Sequence, residues 1–261
     1  MKKIIALSVF GLLAACGPKN TVQVSTAEPI SPAPAVSEPA ASSDATQVML
    51  ADSFEEECAR RLMPTRVEVV ALPSKIEYNF QSTMADLTRK GTRQKELGQI
   101  VLGLTEATLH TNLSWNNNML VSSEDGKTCM RPQLSLTFNV TPQVVSVAHE
   151  FPQGTCSFNE IATHEMRHVR ANQAQLEKTA DLLRQELSEF FGQKIFYGQK
   201  DTLKRDFEQA LKTTWLAHAQ AELDKVNGAH NAIDSPEEYE RNKTVCNGAI
   251  TKAIYAEGLL R

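Results

Sequence analysis

Residues 159 to 168 read NEIATHEMRH, and within them His164, Glu165 and His168 form the pattern HExxH. On an α-helix, side chains four positions apart project from one face, one turn above the other. Two imidazoles placed this way can share one divalent ion, and a glutamate beside the first is turned toward water held there. The chemistry implied is metal-assisted hydrolysis of an amide bond, with Zn2+ as cofactor and an open coordination position. Glu165 is then the general base that takes a proton from water and returns it to the leaving amine. Chance alone yields such a pattern in roughly one chain of this length in a hundred. The rest of the sequence must therefore supply a helix and a third ligand, or His164, Glu165 and His168 are a solvated polar patch. Arg167 counts toward that plainer reading, because its charge opposes a nearby cation unless it points away or is paired.

The helix is legible. From about Phe158 to Phe191 there is no proline or glycine, and Leu176, Ala180, Leu183, Leu187 and Phe190 recur at four-three spacing, the seam of a helix with one buried stripe. Gly192 and Tyr197-Gly198 end it. A second helix runs from about Asp201 to Val226 on Leu203, Phe207 and Leu211 and stops at Asn227-Gly228, so the short connection makes the two antiparallel neighbours. A last helix begins near Pro236 and carries Cys246.

If the helical hairpin turns near residue 196, the level of the two histidines is met on the second helix at about residues 224 to 228. Side chains lean toward their helix N-terminus, which moves the meeting residue slightly further on. His230 meets this requirement. Glu222, on the face of Leu211, is the alternative third ligand, and Asp234, beyond both, is a weaker candidate for the same role. A donor to the oxyanion would come from Tyr239 or His218.

Ahead of the motif the chain reads as strands. RVEVVAL and KIEYNF alternate apolar with polar, ATLHTNLSW does so less cleanly, and PQLSLTFNV followed by PQVVSVAHEF suggests a hairpin about Thr141-Pro142. A helix over about Ser82 to Lys95, weakened by Gly91, interrupts this region. The expected class is α+β: a small antiparallel sheet followed by a long antiparallel helical hairpin that carries HExxH.

The N-terminus opens MKKIIALSVFGLLAACG. Its apolar run is far shorter than the roughly 20 residues that span a bilayer, so residues 1–15 read as an export signal. Leu13-Ala14-Ala15-Cys16 resembles a lipoprotein lipobox, which makes Cys16 a lipid anchor, and Gly17 after it favours the outer membrane by the sorting rule of such proteins. Residues 16–51 hold Pro18, Pro29, Pro32, Pro34 and Pro39 with little bulky apolar material, the composition of an extended tether. Residues 52–261 remain as one domain, long enough for a substantial core. Loss of Lys2 and Lys3 with the signal lowers the basic count from 27 to 25 against 31 acids. With no basic cluster, nucleic acid is excluded as a partner class.

The chain has five cysteines. With Cys16 lipidated, an even number is left in an oxidising compartment, which points to two disulfides. Cys129 with Cys156 and Cys58 with Cys246 is the favoured pairing of the three possible. No CxxC pair supports zinc ligation by these thiols.

The run C-x-F-x-x-I-x-x-H-E-x-x-H from Cys156 to His168, preceded by a cysteine-containing strand region and followed by a long helical hairpin, resembles the bacterial family of predicted secreted zinc-dependent proteases. The likeness covers about residues 75 to 250. It implies a zincin-like domain with His164, Glu165 and His168 in the metal-binding and base roles. NAIDSPEEY, from Asn231 to Tyr239, departs from that family in lacking a His-Gly step, so the resemblance does not supply the third ligand. The expected function is an envelope-anchored zinc metallopeptidase acting on a peptide or protein substrate in the periplasm and touching the membrane only through its lipid anchor. The alternative is a non-catalytic envelope lipoprotein that serves as a binding or structural module.

Overall fold

The structure is a computed structural model, and it describes residues 53–91 and 99–259. The expected export signal, the lipid anchor expected at Cys16 and the expected tether lie outside the described residues, as does the end of the helix expected near Lys95. Among the described residues no helix is long and apolar enough to cross a membrane.

The elements in chain order are α1 (Phe54–Arg61), β1 (Arg66–Ala71), β2 (Ile76–Asn79), α2 (Met84–Lys90), β3 (Gly103–Glu106), β4 (Leu109–Val121), β5 (Lys127–Val140), β6 (Gln143–Val147), α3 (Cys156–Phe191), β7 (Phe196–Gln199), α4 (Lys200–Ala210), a π-helical turn (Leu211–Leu216), α5 (Ala217–Asp224), α6 (Val226–Ile233), α7 (Pro236–Thr244), a 3-10 turn (Val245–Gly248) and α8 (Ala249–Ala256). The class is α+β, but the sheet is mixed rather than antiparallel. β5 lies between β1, which it pairs in parallel, and β4, antiparallel; β7 adds to the start of β5. A second sheet has the order β2-β6-β3, with β2 parallel and β3 antiparallel to β6.

The three connections between the sheets cross at one level. β1 runs into β2, β3 into β4 and β5 into β6. The crossing is pinned by backbone bonds from Leu72 N to Phe138 O (2.8 Å), Thr141 N to Thr108 O (2.9 Å) and Gln143 N to Lys75 O (2.8 Å). Thr141-Pro142 is thus a step from one sheet to the other and not the hairpin its composition suggests. Proline has no N–H for the ladder and breaks it there.

Helix α3 is one continuous rod of 36 residues, about 54 Å long at 1.5 Å per residue. Its N-terminal end is fixed by Thr155, whose hydroxyl accepts from Phe158 N. The rod is long enough to serve both sheets. Leu176, Ala180, Leu183, Leu187 and Phe191 pack into a core with β1, β4 and β5. Ile161, near the start of the rod, belongs to a second core with α2, β3, β6 and the buried Ile250 and Ile254 of α8. The HExxH turns therefore face the smaller sheet.

The return arm runs antiparallel to α3, since Glu186 meets His218, Gln175 meets Glu222 and His168 meets His230. It does not stop at Asn227-Gly228. After a break at Lys225 the helix resumes and continues to Ile233. Gly228 sits in it with open space around its Cα; its lower helix propensity, about 1 kcal/mol, is offset by burial of Val226 and His230 on either side.

The disulfides are Cys58–Cys129 and Cys156–Cys246, not the 129–156 and 58–246 pairing favoured by sequence. Nearness along the chain misled, because β6 leaves the sheet that holds Cys129 before α3 begins. Cys58 instead reaches Cys129 from α1, in a small apolar cluster with Leu62.

Candidate metal centre

The first turns of α3 place His164, Glu165 and His168 against β3 and β6, where all three are buried. His164 Nε2 and His168 Nε2 lie 3.3 Å apart. Asp234 Oδ1 is 3.1 Å from the first and 3.3 Å from the second. These three atoms form a cluster able to hold a metal ion. Asp234 caps the end of α6, with its N–H bonded to His230 O at 2.9 Å.

His230, the expected third ligand, instead stands behind His168. Its Nδ1 is 2.7 Å from His168 Nδ1, and its Nε2 is 3.1 Å from Asn172 Oδ1. Asn172 Nδ2 in turn donates to Gln143 Oε1 of β6 at 2.8 Å. The tautomers follow along this chain. The Asn172 oxygen only accepts, so His230 carries its proton on Nε2 and accepts at Nδ1. His168 then donates from Nδ1, which leaves the Nε2 lone pair aimed into the cluster. Burial, and then the neighbouring His168, push His230 down to about 4, which keeps it neutral for this role. The helix that runs on past Gly228 explains the change of ligand: His230 and Asp234 lie one turn apart on one face, and it is Asp234 that reaches the open nitrogens.

His164 is oriented by a carboxylate. Its Nδ1 is 3.2 Å from Glu238 Oε1, and that carboxylate also pairs with Arg167 and Arg241. Arg167 is ion-paired with Glu238, and its Nη2 also lies 2.7 Å from His164 Nδ1. Burial disfavours the imidazolium of His164, but the bonds to Asp234 and Glu238 outweigh it, and in the metal-free protein His164 is pushed up to about 9. His168 is held below its usual value by burial.

Glu165 is fully buried, and burial pushes its carboxyl up to about 8. Thr105 of β3 donates to Oε2 at 2.8 Å. Oε1 has no protein partner, and neither has Asp234 Oδ2. A buried carboxylate oxygen without a partner is costly, and a cation at the cluster would compensate the Asp234 carboxylate. A metal with two imidazole nitrogens and one carboxylate oxygen fits this donor set. Glu165 reaches its position because residue 103 is glycine: a Cβ there would lie 2.3 Å from Oε1 and 2.7 Å from Ile161 Cγ2.

The other expected residues lie elsewhere. Glu222 is paired with Lys225 at 2.5 Å and is no part of the cluster. His218 pairs with Glu186 at 2.7 Å, and Tyr239 packs against the second core. Sequence reasoning missed Gly103, Thr105, Gln143, Asn172 and Glu238. Two of these had a signal: Asn172 continues the four-residue spacing of His164 and His168, and Glu238 stands in the same relation to Asp234. The strand residues had none, since their place depends on pairing across the sheet. Compared with protein-family models, curated proteins and solved structures, the chain matches none.

Proposed function

We propose that this chain is a zinc-dependent metallopeptidase of zincin-like design, with His164, His168 and Asp234 as metal ligands and Glu165 as general base. The observation that carries the proposal is the convergence of three donor atoms, one on a carboxylate whose other oxygen is buried without a partner, with the buried Glu165 next in the chain to His164. When bound, zinc would supply Lewis acidity toward a carbonyl oxygen and lower the pKa of water. The protein's own part is positional. Thr105 fixes one Glu165 oxygen and leaves Oε1 free to take a proton from water and pass it to the leaving amine. Its raised pKa favours holding that proton between the two transfers. Glu238 and the His230–Asn172–Gln143 chain lock the two imidazoles in orientation, the usual task of groups behind metal ligands. The substrate class is a peptide or protein. The oxidised state of all four described cysteines supports an extracytoplasmic location, in keeping with the export signal and lipid anchor at Cys16.

One observation favours a second reading. The side chains of His164 and His168 are 0% exposed and that of Asp234 only 6%, as in a closed structural site. Glu165→Gln separates the two. Tested on unstructured protein substrates and peptide libraries, a peptidase loses turnover by about 100-fold or more while it keeps its metal and its melting temperature. A structural site has no turnover to lose, and parent protein without activity on any substrate rejects the peptidase reading.

A further inference from the structure

The two disulfides differ in kind. Cys58 and Cys129 are both 0% exposed, whereas Cys156 is exposed and Cys246 partly so. Cys156 is the first residue of α3, directly after the capping Thr155. Cys246 and Asn247 have φ of 55° and 54°, and among the described residues they are the non-glycine residues with positive φ; Gly248 follows at 74°. L-residues avoid this left-handed conformation, cysteine more than asparagine. An outlier of this sort persists only where the surroundings impose it, and it concentrates at switching and binding sites.

The bond's position gives it a consequence. It joins the start of the rod that carries His164 and His168 to the end of the segment that begins at Asp234 and Glu238. Along that segment the ties that reach the metal cluster are polar, Asp234 and Glu238 to His164, Glu238 to Arg167, and Arg241 to Glu160 at 2.8 Å, while Tyr239 and Val245 pack against the core that holds Ile161. Beyond the disulfide, Ile250 and Ile254 anchor α8 in the core. The bond is thus the one covalent tie that seats the Asp234 segment, and it can be cut without dismantling the core behind it.

We propose that Cys156–Cys246 is a thiol–disulfide exchange site that regulates the metal centre, its co-reactant being a dithiol such as the reduced form of a disulfide oxidoreductase. A thiolate of that dithiol attacks Cys246 Sγ, a mixed disulfide forms, the Sγ–Sγ bond breaks, and the electron pair leaves on Cys156. The second thiolate then attacks the mixed disulfide and expels Cys246, so two electrons and two protons pass from the dithiol to the protein. Cys156 is the better leaving group, because a thiolate at a helix N-terminus is stabilised by the helix dipole. Freed of the bond, Cys246 and Asn247 relax from the left-handed region, the segment that carries Glu238 loosens from α3, and Asp234, left with its tie to α6 alone, is held less firmly on the two imidazoles. Oxidised protein holds metal tightly and reduced protein weakly. The metal part of this proposal rests on the peptidase reading; the exchange site itself does not.

The test uses the full chain, oxidised and loaded with zinc. It is equilibrated with graded ratios of reduced and oxidised dithiothreitol, blocked with iodoacetamide and desalted, so that no dithiol remains to compete for metal. Peptide mass spectrometry then reads which cysteines were free, and a chromophoric chelator reads the zinc dissociation constant. The expected result is modification of Cys156 and Cys246 at ratios that leave Cys58 and Cys129 bonded, with the dissociation constant raised on the order of tenfold in step, the lower end of what loss of support behind a metal site costs. Cys156→Ser/Cys246→Ser should show the weaker affinity without reductant and no response to it. Both pairs opening together, or selective opening with unchanged zinc affinity, overturns the proposal. Oxidised protein that binds no zinc refutes the metal reading instead, and amide exchange across residues 234–248 then decides: a rise on selective reduction upholds the exchange site, and no rise ends it.

Discussion

Gly103→Ala isolates the base from the metal. The added Cβ would sit 2.3 Å from Glu165 Oε1 and 2.7 Å from Ile161 Cγ2, and 2.9 Å from Glu165 Cδ. Ordinary contact needs over 3 Å, so the carboxylate must retreat by about 1 Å or swing off Thr105. Gly103 is buried at the start of edge strand β3, where it pairs with Val147, and Ile161 is fully buried, so a shift of the backbone away from the helix would itself cost packing and ladder bonds. Overpacking of this kind costs about 1–3 kcal/mol of stability. A misplacement near 1 Å at a catalytic group costs on the order of 100-fold in rate. His164, His168 and Asp234 do not touch residue 103 through any of the three close contacts, so metal affinity should change little. Thermal unfolding, zinc stoichiometry and kcat are measured on the same preparation, with peptide turnover as the assay. A variant that keeps full kcat, or that loses its zinc while folded, would show that Glu165 is not held where the base must stand.

Two other perturbations follow from the same geometry. His230→Ala removes the acceptor behind His168 and should weaken zinc binding by about 10- to 100-fold without abolishing it, as equilibrium dialysis would show; complete loss would make His230 a ligand after all. Zinc binding should also release protons. In the metal-free protein His164 is raised from 6.5 to about 9, so its ionic bonds to Asp234 and Glu238 contribute stability that is complete below about 6.5 and fades as pH rises through about 9. The metal must displace that proton, and affinity should therefore rise by up to about tenfold per pH unit between 7 and 9 and flatten above. Calorimetry in buffers of different ionisation enthalpy counts the protons; a pH-independent affinity across that range would contradict the assignment.

What the sequence disclosed was local. The single-face geometry of His164 and His168 depends only on helical period and is found as read, as is the buried seam of α3 from Leu176 to Leu187; its last member is Phe191 rather than Phe190, which is 47% exposed. The third donor was misassigned because Asn227-Gly228 looks like a helix end in isolation, and only the burial of Val226 and His230 carries the helix through it. The same limit applies to the disulfides and to Thr141-Pro142: nearness in sequence stood in for nearness in space, and the step between two sheets separated Cys129 from Cys156. Gly103 and Thr105 become meaningful only once β3 is laid beside α3. A strand of four residues carries no mark of which helix it will meet.

The most direct test of the metal centre is X-ray absorption at the zinc edge of the protein after reconstitution. Two imidazole nitrogens with oxygen donors, and loss of the bound zinc in Asp234→Ala, is the result expected. A shell of three imidazoles, or zinc retained undiminished in Asp234→Ala, would contradict the ligand set, and a protein that takes up no metal would contradict the centre itself.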